Sequence, residues 1–164
     1  MVRKNKSMNK IDRFFDAIRS NENEQVALML KSNPELINSK DSRGFTPLIF
    51  ASYFDKDTIV ETLLENNALI DARDASGNTA LIGVSFKGNS LLARRFIENG
   101  ADINAKNGSS VTPITFASMY NQKTIVELLL DHNADKTIKD SQGKTAIDYA
   151  REKGFDTIVT LLND

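Results

Sequence analysis

The amino-acid sequence predicts an all-α solenoid of stacked helix–turn–helix units, because two sequence motifs repeat along it with the same period. The first motif occurs as "FTPLIFAS", "NTALIGVS", "VTPITFAS" and "KTAIDYAR". Its second residue is always threonine, and these threonines lie 33 residues apart: Thr46, Thr79, Thr112 and Thr145. The second motif begins with apolar residues and repeats with the same period, as "IVETLLENNALID", "LLARRFIENGADIN" and "IVELLLDHNADKT". A period of this length is typical of repeat proteins, in which each unit buries its apolar face by stacking on its neighbours.

Each unit is predicted to begin with a tight turn that leads into a first helix. Asp opens and Gly closes the turns at residues 41–44, 74–77 and 140–143. The Asp side chain bonds to the local backbone, and Gly accepts the positive φ that such a turn requires. Threonine then caps the helix, with Pro47 or Pro113 in its first position. The turn at residues 107–110 carries its glycine two places earlier, so we expect a different shape there.

A second helix follows in each unit and carries an apolar stripe. Ile59, Leu63 and Leu64 show the spacing of such a stripe. The helix is predicted to end at Asn67, and its counterparts at Gly100 and Asn133, because these residue types tolerate the left-handed conformation that stops a helix.

The repeat columns also indicate where the stack ends. Subtracting one period from Leu48, Ile59 and Leu63 leads to Phe15, Val26 and Leu30, which predicts a further unit without the Thr-Pro turn. One column is apolar in the three inner units and polar in both outer ones: Lys31, Leu64, Ile97, Leu130 and Asn163. Capping units need polar outer faces, so we predict five units including two capping units.

We expect a flexible basic tail at residues 1–10, followed by a single domain at residues 11–164. The predicted units span about 11–40, 41–73, 74–106, 107–139 and 140–164.

The repeated motif resembles the ankyrin-repeat family. The resemblance is carried by Asp41, Gly44 and the run from Phe45 to Leu48, by Ala51, by "IVETLLENNALID", and by their echoes. It covers roughly residues 12–162. The resemblance implies helix–turn–helix units with short hairpin tips, and a concave surface that binds a partner protein.

Composition argues against catalysis. The chain has no cysteine and one histidine, which excludes thiolate chemistry and cysteine-based metal sites. We expect His132 to be a solvated residue at a helix end. No phosphate-binding loop, dinucleotide turn or metal-ligand spacing is present, so we predict no enzyme, no catalytic residue, no cofactor and no metal. No apolar run of signal-peptide or membrane-spanning length follows the tail, and we expect a cytoplasmic monomer without a membrane partner.

The candidate partner-binding residues lie mainly where each first helix is predicted to end. Aromatic and Met side chains, which are enriched in interface cores, occupy these positions in the inner units. The candidate set, with three cationic rim residues, is Arg43, Phe45, Tyr53, Phe54, Phe86, Lys87, Met119, Tyr120 and Lys144. In ankyrin-like folds these positions and the hairpin tips line the concave face. The alternative is that the rings pack on one another, or on the next unit, and expose little.

A basic column offers a second candidate surface. It consists of the residues that precede each turn: Lys40, Arg73, Lys106 and Lys139. Such a column could bind an anion or a nucleic-acid backbone, but pairing with nearby acids is the simpler interpretation. The chain outside the basic tail is acidic, so a protein is the expected partner and nucleic acid is not.

Overall fold

A computed structural model describes residues 8–163 of the 164-residue chain. This range contains ten α-helices and one 3-10 helix, and no strand. None of these helices is long and apolar enough to cross a membrane. The chain divides between Ala68 and Leu69 into two compact units.

The first compact unit holds two helix pairs and a short 3-10 helix. Its elements are α1 (Lys10–Arg19), α2 (Asn23–Ser32), the 3-10 helix (Pro34–Asn38), α3 (Pro47–Tyr53) and α4 (Asp57–Glu65). Helix α1 packs on α2 and α3, and α2 packs on α4. The 3-10 helix stands where later units have the turn that follows the second helix, and it buries Leu36. Sequence repeats did not predict it.

The second compact unit holds three helix pairs that stack in order. They are α5 (Ala80–Lys87) with α6 (Ser90–Glu98), α7 (Pro113–Met119) with α8 (Lys123–Asp131), and α9 (Ala146–Glu152) with α10 (Asp156–Asn163). The first helix α7 packs on both α5 and α9, and the second helix α8 packs on both α6 and α10. The five helix pairs within residues 8–163 confirm the predicted all-α ankyrin-like architecture.

The exposure of the five residues in the predicted capping column agrees with the prediction. Leu64, Ile97 and Leu130 are half-buried, whereas Lys31 and Asn163 are exposed. Residues 1–7 of the predicted basic tail lie outside the described residues. Lys10 is the first residue of α1, and its ammonium group lies 3.2 Å from a carboxylate oxygen of Glu35.

The buried threonines start the first helices as predicted. The Oγ1 atoms of Thr46 and Thr79 each accept a hydrogen bond from the amide three residues later, at 3.3 Å. The last unit uses a reciprocal cap instead, because the Asp148 carboxylate accepts hydrogen bonds from both the backbone amide and the hydroxyl of Thr145. A threonine at this position satisfies amides that would otherwise be buried without a partner.

The turn at residues 107–110 has the same shape as the others, and our expectation of a different shape is wrong. Asn107 replaces the usual Asp, and its Oδ1 accepts from the amides of Ser109 and Val111 at 3.0 Å each. Ser110 adopts the left-handed conformation, with φ 59°, that glycine adopts in the other turns. The displaced glycine, Gly108, has a different role: a Cβ there would lie 3.1 Å from the carbonyl oxygen of Ser76, to which the Gly108 amide donates at 2.9 Å.

Replacing Ser110 with Gly should therefore stabilise the protein. A left-handed conformation costs a non-glycine residue about 1 kcal/mol, so S110G should raise the free energy of unfolding by about that amount in urea titrations. The matched control is G143S. Gly143 has φ 76°, and a Cβ there would meet nothing within 4 Å, so G143S should cost about 1 kcal/mol. If S110G lowers the stability, the turn does not hold Ser110 as described.

Candidate functional site

Four large aromatic side chains remain exposed where first helices end. The exposed fraction is 54% for Tyr53, 38% for Phe54, 40% for Phe86 and 44% for Tyr120. A left-handed residue ends the first helices of these three pairs, at Asp55, Gly88 and Asn121. The chain turns away there, so the preceding side chains are left at the end of the helix and are not covered by its next turn.

In the first compact unit, Tyr53 and Phe54 belong to a group of rings that we call the Phe54 patch, formed by Phe45, Phe50, Tyr53 and Phe54. The ring centroids of Phe50 and Phe54 are 4.8 Å apart, and those of Tyr53 and Phe54 are 5.2 Å apart in a T-shaped arrangement. Phe45 stacks on Tyr53 at 6.5 Å. Phe50 anchors the patch in the core, because it is 1% exposed.

Arg43 completes the Phe54 patch. Its guanidinium carbon lies 5.0 Å from the centroid of the Phe45 ring, within the range of a cation–π interaction. Its Nε donates to the Asp41 carboxylate at 3.3 Å. Arg43 and the four rings line a small pocket of about 130 Å³. Pockets for small molecules usually have roughly 300–1,000 Å³, so the size of this one suits a single inserted side chain.

The second compact unit has its own group, the Phe86 patch, formed by Phe86, Phe116 and Tyr120. Phe86 and Tyr120 meet in a T-shaped contact with centroids 4.5 Å apart. Phe116 lies 6.2 Å from Phe86 and 6.3 Å from Tyr120. The ammonium group of Lys153 lies 5.1 Å from the Tyr120 centroid. The patch therefore connects α5, α7 and the end of α9.

The alternative that the sequence left open for these rings, packing on the next unit with little exposure, holds only in part. Phe86 packs on rings of the next helix pair, as the alternative required, yet it keeps 40% of its surface exposed. Phe45, which belongs to the Phe54 patch, and Met119, which precedes Tyr120 in the sequence, are half-buried. Ring contacts thus fix the side chains in place and leave part of each one accessible.

The two candidate rim residues of the second compact unit are not on open surface. Lys87 is half-buried. The Lys144 ammonium lies 2.8 Å from a carboxylate oxygen of Glu152 and 5.2 Å from the centroid of the Tyr149 ring. Lys144 is therefore held by an acid on its own helix pair.

The sequence profile of the family described as ankyrin repeats (3 copies) matches residues 14–107 and again residues 82–164. The chain belongs to the ankyrin-repeat family. A search among curated proteins finds no match to this chain. Ankyrin repeats are generally protein–protein interaction modules, and proteins built from them are typically non-enzymatic.

The last ankyrin unit contains a polar contact that the sequence did not indicate. The Tyr149 hydroxyl donates a hydrogen bond to the Asp140 carboxylate. Burial alone would raise the pKa of Asp140, but this bond and the amides of Lys144 and Gln142 lower it below its ordinary value. The same bond, together with burial, raises the pKa of Tyr149 to about 12. Tyr149 thus ties the final turn to α9.

The basic column is exposed, but three of its members already have interactions. The Arg73 guanidinium donates to the carbonyl oxygens of Gly77 and Lys106. The pKa of Asp135 is lowered mainly by hydrogen bonds from Thr137 and, to a smaller extent, by the charge of nearby Lys106. The pKa of Asp148 is lowered mainly by hydrogen bonds from Thr145 and, to a smaller extent, by the charge of nearby Lys139. Arg73 thus meets backbone carbonyls and not the acids that the simpler interpretation named, whereas Lys106 and Lys139 each lie close enough to an acid to interact with it electrostatically.

His132 lies at the end of α8, where its Nδ1 atom is 2.9 Å from the carbonyl oxygen of Leu128. This position agrees with the predicted exposed residue at a helix end. Among residues 8–163, no cluster of His, Cys, Asp or Glu could hold a metal ion.

The Phe54 patch predicts a sharp contrast between neighbouring rings. F50A should lower the free energy of unfolding by about 3–5 kcal/mol, because it removes a fully buried ring. F54A should cost only about 1–2 kcal/mol, because part of that ring already meets water. Urea denaturation measures both values. Equal losses would show that Phe54 belongs to the core and is not available to a partner.

Proposed function

We propose that this ankyrin-repeat chain binds a partner protein through the Phe54 patch and the Phe86 patch, on the concave surface that ankyrin repeats use. One observation carries the proposal: Tyr53, Phe54, Phe86 and Tyr120 are large rings, each more than a third exposed, and all lie where first helices end. Single exposed apolar residues are ordinary on protein surfaces, but clustered rings mark interaction sites.

The ring contacts also suit binding energetically. Aromatic side chains supply most hot-spot energy in interfaces when a partner excludes water from them. Rings held in T-shaped contacts at 4.5 Å and 5.2 Å lose little conformational freedom on binding. Because the patches are preformed, association costs less ordering entropy.

The remaining candidate residues take supporting roles in this proposal. Phe45 within the Phe54 patch and Met119 next to Tyr120 in the sequence supply half-buried apolar surface. Arg43 supplies an exposed cationic group that is fixed by Asp41, and the half-buried Lys87 and Lys144, of which Lys144 pairs with Glu152, take a smaller part than the predicted rim gave them. We assign no cofactor and no catalytic group to this surface.

Anion or nucleic-acid binding through the basic column is the second candidate that the sequence raised. The Arg73 guanidinium already donates to two backbone carbonyl oxygens. Lys106 lies near Asp135, and Lys139 lies near Asp148. Nothing in these contacts favours a nucleic-acid backbone, so we retain protein binding as the proposed function.

The test is capture of partners from an extract of the source cells by immobilised wild type and by two double variants, Y53A/F54A and F86A/Y120A. Each pair removes the exposed rings of one patch, and interface hot spots cost about 2 kcal/mol or more each. At least one double variant should therefore lose the protein that wild type captures, as measured by quantitative mass spectrometry. Circular dichroism confirms that each variant is folded at the temperature used.

The matched control is E61Q/E65Q/E98Q, which changes three exposed residues on second helices. It should leave capture nearly unchanged, because surface changes outside the interface contribute little. Capture that persists in both folded double variants would contradict the proposal. Binding of DNA or RNA that falls steeply with added salt, and is lost when the basic column is neutralised, would favour the second candidate.

A further inference from the structure

The pocket of the Phe54 patch is a preformed site for one side chain. It has a volume of about 130 Å³ and is lined by Arg43, Phe45, Phe50, Tyr53 and Phe54. Phe50 closes it on the core side, whereas Tyr53 and Phe54 keep 54% and 38% of their surfaces exposed. An apolar cavity of about 150 Å³ holds a benzene molecule, so this pocket accommodates one aliphatic side chain such as Leu, Ile or Val.

Arg43 brings unused hydrogen-bond donors to the pocket. Its Nε donates to Asp41, but neither of its Nη atoms donates to another group within residues 8–163. Its contacts with aromatic rings supply no lone pair that would accept from these N–H groups. The Arg43 side chain is 57% exposed, so both Nη atoms are available to a ligand.

The acid that pairs with Arg43 is itself committed to the turn. The Oδ1 atom of Asp41 accepts from the amides of Arg43 and Phe45 at 2.9 Å each, and its Oδ2 accepts from the Arg43 Nε at 3.3 Å. This ion pair is a single contact and not the bidentate pair that engages two guanidinium nitrogens. Asp41 therefore orients the guanidinium without occupying its Nη donors.

The turn itself does not require arginine at residue 43. In each turn the backbone amide at this position donates to the Asp or Asn that opens the turn, so the identity of the side chain is not used. The equivalent residues of the other turns are all uncharged: Ser76, Ser109 and Gln142. Only the turn at residues 41–44 is followed directly by an aromatic residue, Phe45. Arginine next to a ring is thus a feature of this pocket and not of the repeat.

The aromatic walls do not make the pocket a site for a cation. Aromatic rings attract cations over their faces. The Arg43 guanidinium carbon already lies 5.0 Å from the Phe45 centroid and 5.9 Å from the Phe50 centroid. The guanidinium carbon of Arg19 lies 5.7 Å from the Phe50 centroid. The chain's own arginines thus occupy these rings, and a further cation would be repelled by them.

We propose that this pocket binds the C-terminal residue of the partner protein, with its aliphatic side chain among the rings and its terminal carboxylate on the Nη atoms of Arg43. The inference rests on the proposed function and names the partner chemistry for the Phe54 patch. Because Arg43 is itself a wall of the pocket, the inserted side chain and the carboxylate must lie next to each other. A C-terminal residue carries both on one Cα, and a guanidinium binds a carboxylate through two parallel hydrogen bonds.

The test selects random peptides, displayed with free C-termini, on the immobilised wild-type chain. Selected peptides should end in Leu, Ile or Val. Fluorescence anisotropy then compares one such peptide with its C-terminal amide, on wild type and on R43Q, which keeps the backbone amide that the turn uses. Amidation should weaken binding to wild type by about tenfold or more, because it removes a charged hydrogen-bonded pair. It should change little on R43Q, which has already lost that pair.

The control for charge is R94Q, which neutralises an exposed arginine on α6 in the other compact unit and should leave both peptides unaffected. Y53A/F54A should weaken both. If acid and amide bind wild type equally and both lose affinity for Y53A/F54A, the carboxylate proposal fails and the proposed function stands. Selected peptides that end in Lys or Arg would overturn the proposal in favour of a cation site. If the selected peptides are insensitive to Y53A/F54A, or if the library yields no binder, both fail for this patch.

Discussion

Helix α7 has seven residues, and it persists because α5 and α9 pack on its two sides. A helix of this length is not stable alone in water. Each helix pair therefore depends on its neighbours, and the apolar residues that face them are nearly all buried, as Ile114 and Ala117 show. This dependence of each pair on the next explains why the 33-residue period is kept so strictly. A shift by one residue would turn the buried face of a first helix towards solvent.

Stacking also determines what is left for function. It covers the middle of each first helix and leaves its end, where a left-handed residue redirects the chain. Side chains at that end can contact the next pair and still remain accessible, as Phe86 and Tyr120 do. The binding surface that we propose is thus a product of the same geometry that makes the core. Variation at these helix ends changes the surface without changing the stack.

The repeat period made most of the fold predictable from sequence. Thr46, Asp41 and Asn67 each have one dominant local role, in a cap, a turn or a helix stop, so their conformations followed from residue type and spacing. The left-handed conformation of Ser110 was not predicted, because this turn has no glycine at its end. Hydrogen bonds to Asn107, and the bond from the Gly108 amide to Ser76, hold the turn instead. The candidate site was only partly predictable. Spacing located the rings at helix ends, but their exposure depends on contacts such as Lys153 with Tyr120, which join residues 33 positions apart. The 3-10 helix at Pro34–Asn38 is in register with turns in the later units, so no column predicted it.

Removal of residues 140–164 tests most directly whether each helix pair depends on its neighbour. This truncation deletes α9 and α10 and uncovers the sides of α7 and α8 that they cover, including Ile125 and Leu129. Burial of each such side chain is worth roughly 1.5–3 kcal/mol, so the truncated chain should aggregate or melt far below the full chain. Light scattering and thermal unfolding followed by circular dichroism measure both outcomes. A truncated chain that stays monomeric with an unchanged melting temperature would contradict the account, because its helix pairs would then be stable without the neighbours on which we infer they depend.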